Sequence, residues 1–183
     1  MPRAGLDAAT VAAAGAALAD EVGFANLTMG LLAERLGVRT PSLYKHIAGQ
    51  DDLNRRIAAL ALDEAAGAIG TAIQGCAGRD ALAAAARAFR DYVLAHPGRY
   101  AATIPLVADD SLAAAGSRAL DAFRAVLRSY PIKPENTDHA LRTVRSLLHG
   151  FATLQSAGGF QWSADVDESF EWLIDFADRG LRG

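Results

Sequence analysis

The chain has 183 residues, one cysteine and a formal net charge of −3, and its hydrophobic fraction is 51%. A single cysteine excludes an intramolecular disulfide, which fits a reducing compartment. Alanine supplies much of the apolar content, and alanine favours helices over strands. Because no apolar run approaches the ~20 residues of a membrane span, we expect a soluble, cytoplasmic, all-α protein.

The N-terminal residues predict two helices with clear ends. The first helix begins after an Asp7 cap and runs to about Val22, where Gly23 supplies the stop. The second begins after Thr28, whose hydroxyl can cap the free N–H groups, and it ends at Gly37. Apolar residues recur at helical spacing along both.

A third helix completes a recognisable unit. Thr40 offers a capping hydroxyl and Pro41 the first helical position, where a missing N–H costs nothing. Leu43 and Ile47 point inward at i, i+4, and Gly49 ends the helix. Two short helices joined at a glycine are the layout of a helix-turn-helix, which places its second helix in the DNA major groove.

The rest of the chain predicts a C-terminal helical bundle, giving about nine helices in total. A long fourth helix begins near Asp51-Asp52 and reaches about Ile73. Later helices are predicted over about 79–95, 99–107, 110–129, 137–157 and from 165 onward. Trp172 and Phe176 widen the apolar stripe of the last helix so far that it needs a second neighbour. We therefore assign residues 1–50 to a helix-turn-helix DNA-binding domain and 51–183 to a ligand-binding and dimerisation domain.

Three N-terminal segments, Gly23–Met29, Leu32–Val38 and Ser42–His46, resemble the TetR family of one-component transcriptional regulators. Around His149-Gly150-Phe151 the chain resembles the subgroup named for a Trp-His-Gly signature, although the tryptophan is absent here. The resemblance implies a homodimer formed by the last two helices, a palindromic operator, and a small-molecule pocket in the C-terminal domain. It also implies a repressor that an apolar or amphipathic molecule releases from DNA.

The resemblance also implies which residues meet DNA. Base edges and nearby phosphates would be contacted from the start of the third helix, and phosphates from positions around it. The candidates are Thr28, Arg39, Thr40, Pro41, Ser42, Tyr44, Lys45 and His46. Structural roles remain open for some, since Thr40 can simply cap and Tyr44 can pack half its ring. Where the family often has lysine at the start of the fourth helix, this chain has Gln50.

The effector site is less readable than the DNA interface. Aromatic or polar groups lie on helices that could surround a cavity, and each could instead be ordinary packing. They are Phe89, Tyr92, Tyr100, Phe123, His149 and Phe151. His149 could be a polar handle in an apolar pocket or a satisfied histidine at the dimer seam.

Other function classes have little support in the sequence. The four histidines are far apart, and the chain contains neither an HExxH motif, a glycine-rich phosphate loop nor a Gly-x-Ser-x-Gly elbow. We therefore expect no catalytic residues, no metal and no cofactor. A helical protein-interaction module of the same fold without DNA binding is the alternative, favoured by Gln50 and a near-neutral N-terminal region.

Overall fold

The computed structural model describes residues 6–104 and 110–183 of the chain. Within these ranges there are nine α-helices, two short 3-10 helices (Phe24–Asn26 and Pro134–Asn136) and no strands, which confirms the all-α prediction. The helices are α1 (Ala8–Val22), α2 (Met29–Arg35), α3 (Thr40–Leu43), α4 (Gln50–Ala72), α5 (Gly78–Ala95), α6 (Pro97–Ala101), α7 (Asp110–Leu127), α8 (Thr137–Ser156) and α9 (Val166–Arg182).

Local capping chemistry accounts for the ends of the first two helices. The Asp7 carboxylate accepts a hydrogen bond from the Thr10 amide at 2.7 Å, and the Thr28 hydroxyl oxygen accepts one from the Leu31 amide at 3.2 Å. Gly23 follows α1 with φ of 84°, a conformation that glycine adopts without strain. Both predicted N-caps and the predicted stop of α1 are therefore confirmed.

The sixth helix starts earlier than the sequence predicts. It begins at Pro97 rather than at Arg99, because proline is well suited to the first helical position. The described part of α6 ends at Ala101, and the predicted remainder from residue 105 to 107 lies outside the described residues.

The chain divides into two compact units. The first combines residues 1–63 with residues 96–116, and the second combines residues 64–95 with residues 117–183. In this division the first turns of α4 and the whole of α6 group with the helix-turn-helix. The assignment of residues 1–50 to the DNA-binding domain remains a prediction.

The core of the first unit is built from the apolar faces of its short helices. Leu32 of α2, Leu43 of α3 and the following Ile47 belong to one buried cluster with Val11 and Leu18 of α1. The i, i+4 pair that the sequence places inward is thus buried. Packing against α1 is what holds the short α3 in place, since a helix of four residues has no stability of its own.

The second unit is a helical bundle in which α5 packs against α8 and α9. Its fully buried side chains include Leu82 and Val93 of α5, and Phe170 and Ile174 of α9. Two ion pairs also join α5 to α9, because the Arg79 guanidinium binds Asp175 and that of Arg87 binds Glu171.

Asp178 is a buried carboxylate in this second unit. It accepts hydrogen bonds from the Tyr130 hydroxyl at 2.7 Å and from Arg182 Nε at 2.8 Å. The Arg182 hydrogen bond lowers the pKa of Asp178, and the Tyr130 bond lowers it further against the opposing effect of burial. Burial and the adjacent carboxylate raise the pKa of Tyr130. Asp178 is therefore held ionised where α9 meets the end of α7.

We expect Asp178→Asn to lower the free energy of unfolding at neutral pH by about 1–3 kcal/mol, because a charged acceptor is lost. The folded-state pKa lies below the unfolded value, so this contribution is present above about pH 4 and disappears as the pH falls through the folded pKa. Urea unfolding of both proteins from pH 7 to pH 3 measures the difference. A difference that stays constant with pH contradicts the ionised assignment.

Candidate nucleic-acid interface

The turn between α2 and α3 is set by Gly37, whose φ is 66°. The Gly37 amide donates to the Glu34 carbonyl and the Val38 amide to the Ala33 carbonyl, each at 3.0 Å. These two bonds close the end of α2 in the manner of a glycine C-cap. The chain then leaves in the direction that brings Leu43 into the core.

The third helix is shorter than the sequence predicts. It ends at Leu43, whose carbonyl accepts hydrogen bonds from the His46 and Ile47 amides at 2.9 Å. Residues 44–46 therefore form a turn rather than a continuing α-helix.

The expected cap of this helix is also wrong. Arg39 is the N-cap residue and makes no side-chain capping bond, and Thr40 is already helical. Pro41 follows at the second helical position. A helical residue cannot aim its hydroxyl back at its own helix's first amides as a cap does, so the Thr40 side chain is not used in capping α3.

The segment from Arg39 to His46 alternates between surface and core. Arg39, Pro41, Tyr44 and Lys45 are exposed, with Tyr44 55% accessible, and Leu43 is fully buried. Thr40, Ser42 and His46 are half-buried, and Thr28 is exposed at the start of α2. Seven of the eight candidate DNA contacts are thus carried by one continuous segment, and Thr28 stands apart from them along the chain.

The electrostatics of the motif depend on a partner that the sequence pattern does not reveal. Arg35 binds the carboxylate of Glu21 on α1 through both terminal nitrogens, with Nη1 2.9 Å from Oε1. The hydrogen bond from Arg35 lowers the pKa of Glu21. The charge of Arg35 is therefore met within the unit, and the exposed cations of the segment are Arg39 and Lys45.

The start of α4 has its own hydrogen bonds. Asp52 accepts from the Ala48 amide at 2.9 Å and from Arg56 Nε at 3.0 Å. Gln50 donates from its side-chain amide to the Asn54 carbonyl oxygen at 2.9 Å. Gln50 consequently supports the first turn of α4, in the place where a phosphate-binding lysine is common in the family that the sequence resembles.

Three of the six candidate effector residues lie in the buried part of the second unit. Phe89 of α5 meets Phe123 of α7 edge-to-face, with ring centroids 6.0 Å apart. Tyr92, one turn further along α5, donates its hydroxyl to the Glu64 carboxylate at 2.9 Å. These contacts form an aromatic group with one polar bond.

The other three candidates are dispersed. Tyr100 is buried in the first unit, on α6. Phe151 packs elsewhere in the second unit, against Phe160 and Phe170 at centroid distances of 4.7 Å and 4.9 Å. His149 is half-buried on α8, and burial lowers its pKa, with a further lowering by Arg145. The role of all six in ligand binding remains a prediction.

A second surface carries large exposed apolar side chains. Trp172 is 65% exposed and Phe176 50% exposed, and their rings stack at 5.7 Å on the outer side of α9. The opposite side of α9 buries Phe170 and Ile174, so this helix is apolar on two sides within the single chain. Beside it, a partly open cavity of 410 Å³ is lined by apolar residues of α8 and α9, including Leu147 and Phe176.

The described residues contain neither a helix long and apolar enough to cross a membrane nor a cluster of three or more metal-ligating side chains. Two family models match the chain. The model for bacterial regulatory proteins of the tetR family covers residues 11–57, and that for the tetracyclin repressor-like C-terminal domain covers residues 82–177.

Individual relatives agree with these matches. An uncharacterised HTH-type transcriptional regulator of Mycobacterium tuberculosis is 35% identical over 85% of this chain and 72% of its own length. Another from Bacillus subtilis is 29% identical over 94% of this chain and 91% of its own. Among solved structures, a TetR variant of Acinetobacter baumannii in complex with minocycline superposes with a TM-score of 0.75, at 26% identity over 97% of this chain and 98% of that one. The chain therefore belongs to the TetR family of DNA-binding transcriptional regulators.

Proposed function

We propose that the protein is a ligand-responsive repressor in the cytoplasm that binds a palindromic operator as a homodimer. The observation that carries the DNA-binding part is the surface of the segment from Arg39 to His46. Buried Leu43 and Ile47 anchor the segment, and the exposed Tyr44 and Lys45 lie between them. An anchored, solvent-facing segment of this kind is what a recognition helix needs in order to enter the major groove.

The homodimer is supported by the outer side of α9. Exposed Trp172 and Phe176 form a stacked apolar pair in the single chain, and aromatic side chains of this kind are typical of the centre of protein interfaces. A two-fold dimer would present two recognition segments related by the same axis. Such symmetry matches a palindromic site whose half-sites are ~34–36 Å apart.

Effector control is supported by the length of α4. This helix is continuous over 23 residues and contributes to both compact units. We propose that a small apolar or amphipathic molecule binds among the helices of the C-terminal domain and tilts α4, which changes the separation of the two recognition segments. Because DNA fixes that separation, a shift of a few ångströms would lose contacts at both half-sites. Support for such a ligand also comes from the related TetR that binds minocycline.

A mobility-shift assay tests the proposal against the interaction-module alternative. Folded protein is titrated onto DNA from the region beside its own gene, at low and physiological salt. A salt-dependent shift supports the repressor, and no shift at low salt favours the interaction module. Compounds that stabilise the protein in a thermal screen are then added at saturation. Unchanged operator affinity with all of them would contradict the effector mechanism.

We expect Lys45→Ala to weaken binding to all DNA sequences alike and to reduce the slope of log K against log salt by about one, since one phosphate contact is lost. Ser42 and Tyr44 substitutions should instead change sequence preference, by about 1–3 kcal/mol at the contacted base. Lys133→Ala, which removes an exposed lysine from the other unit, is the matched control. Equal loss on every sequence for all three positions would overturn these roles.

A further inference from the structure

The N-terminus of α6 is capped by a different helix. His96 occupies the N-cap position but makes no side-chain capping bond, and Pro97 follows as the first helical residue. The Asp20 carboxylate of α1 instead accepts a hydrogen bond from the Arg99 amide at 2.8 Å. Arg99 is the third residue of α6, and its amide is one that a helix's own N-cap side chain normally satisfies. Asp20 thus caps α6 from outside it.

The same carboxylate makes further contacts. Its other oxygen accepts from Arg99 Nε at 2.8 Å and lies 3.4 Å from His96 Nδ1. The side chains of Asp20 and Arg99 are only 14% and 13% exposed. Charge-assisted bonds of this kind are stronger than neutral ones, and low exposure limits their screening by salt. One residue of α1 therefore holds both the backbone and a side chain of α6.

Gly98 brings the two helices into backbone contact. A Cβ atom at this position would lie 1.9 Å from the Ala19 carbonyl oxygen and 2.1 Å from its carbon. The Ala19 carbonyl also accepts the Gly23 amide that closes the end of α1, at 2.9 Å. The carbonyl cannot move aside without loosening that end, so only glycine allows α6 to dock as it does.

These contacts make the helical state of α6 depend on α1. A helix of five residues is far too short to be stable alone, because nucleation is costly and each added residue contributes little. Away from α1 it would also lose its only observed cap. Glu21, next to Asp20, binds Arg35 of α2, so the docking point is directly joined to the helix-turn-helix.

We propose that Asp20 and Gly98 make α6 a conditional helix, ordered while it is docked on α1, and that this order is coupled to DNA binding. The proposal rests on the proposed function and adds a named contact through which it is regulated. Docking fixes the α1 turn against which α2 is held, so the docked state favours DNA. Coupling between two sites is reciprocal, so DNA must in turn stabilise the docked α6.

Reciprocity allows a test in which DNA is the probe. The full chain is mixed with a duplex selected from a random pool by the wild-type protein, and hydrogen exchange of the Arg99–Thr103 amides is followed by mass spectrometry. We expect saturating DNA to slow this exchange in the wild type. In Gly98→Ala, exchange should be fast with or without DNA, and DNA affinity should fall by about 5-fold or more.

Two controls separate the contact from general damage. Gly67→Ala makes the same change within a helix at a position with nothing within 4 Å of the added Cβ, so it should leave both readouts unchanged. Asp20→Asn keeps a capping oxygen and loses the charge, and should fall between the wild type and Asp20→Ala. Asp91→Asn, at an exposed position of α5, controls for the loss of one negative charge.

Each outcome is decisive. Slower exchange in wild type with DNA, lost in Gly98→Ala and reduced in Asp20→Asn, supports the conditional helix. DNA binding by the wild type with unchanged or faster exchange in Arg99–Thr103 overturns it and leaves the repressor proposal standing. A wild-type protein that selects no duplex removes both proposals. If Gly98→Ala does not fold, the graded Asp20 variants decide the question alone.

Discussion

Replacing Trp172 by glutamate is expected to convert the protein from a dimer into a monomer at micromolar concentration. Trp172 is 65% exposed in the single chain, so the change should leave the subunit folded. It would, however, place a charge at the centre of the proposed apolar interface, where an unpaired charge is strongly disfavoured. A monomer engages one half-site, so operator affinity should fall by about 100-fold or more.

Sedimentation measures the first effect and a mobility shift the second. Trp172→Phe is the matched variant, since it keeps an aromatic ring that can stack on Phe176, and it should remain dimeric. Circular dichroism confirms that each variant is helical. A Trp172→Glu protein that still sediments as a dimer would place the interface elsewhere and remove the support that α9 lends to the homodimer.

Leu43→Ala is expected to lower the free energy of unfolding of the first unit by about 2–5 kcal/mol, the usual cost of truncating a fully buried leucine. Leu43 has no exposed surface and is the single buried side chain of the four-residue α3. Losing it removes the anchor of the proposed recognition segment, so DNA affinity should fall for all sequences together. Urea unfolding and a mobility shift measure the two effects.

Leu31→Ala supplies the comparison. It makes the same truncation on the neighbouring α2, where the leucine side chain is 41% exposed, and should change stability by about 0.5 kcal/mol or less. Equal destabilisation by the two substitutions would show that α3 is not held by burial of Leu43. Intact DNA binding in a destabilised Leu43→Ala protein would place the recognition surface outside this segment.

Local interactions explain what could be read from the residues alone. The caps at Asp7 and Thr28 act over three residues, and the stop at Gly23 needs only a permitted backbone conformation. The inward pair Leu43 and Ile47 follows from helical spacing. In each case the partners are neighbours in the chain, so their order in the sequence carries the structural information.

Where local preference met tertiary packing, the sequence was a poorer guide. Thr40 and Pro41 have the residue types of a cap and a first helical position, yet Arg39 is the N-cap and α3 ends at Leu43. A helix this short takes its limits from the core it is packed on. The candidate effector residues show the same effect, since Phe89 meets Phe123 but Tyr100 belongs to the other unit.

The sequence by itself determined the helical class, the helix-turn-helix and the family, because periodicity, caps and motif spacing are properties of neighbouring residues. Only the tertiary structure decided that Glu21 meets the charge of Arg35 and that Asp20 caps α6 beside Gly98. Asp20 and Arg99 are 79 positions apart, and nothing in the residue types or spacing of either segment indicates its partner. Such contacts follow from how the helices pack, which depends on the whole core rather than on any single segment.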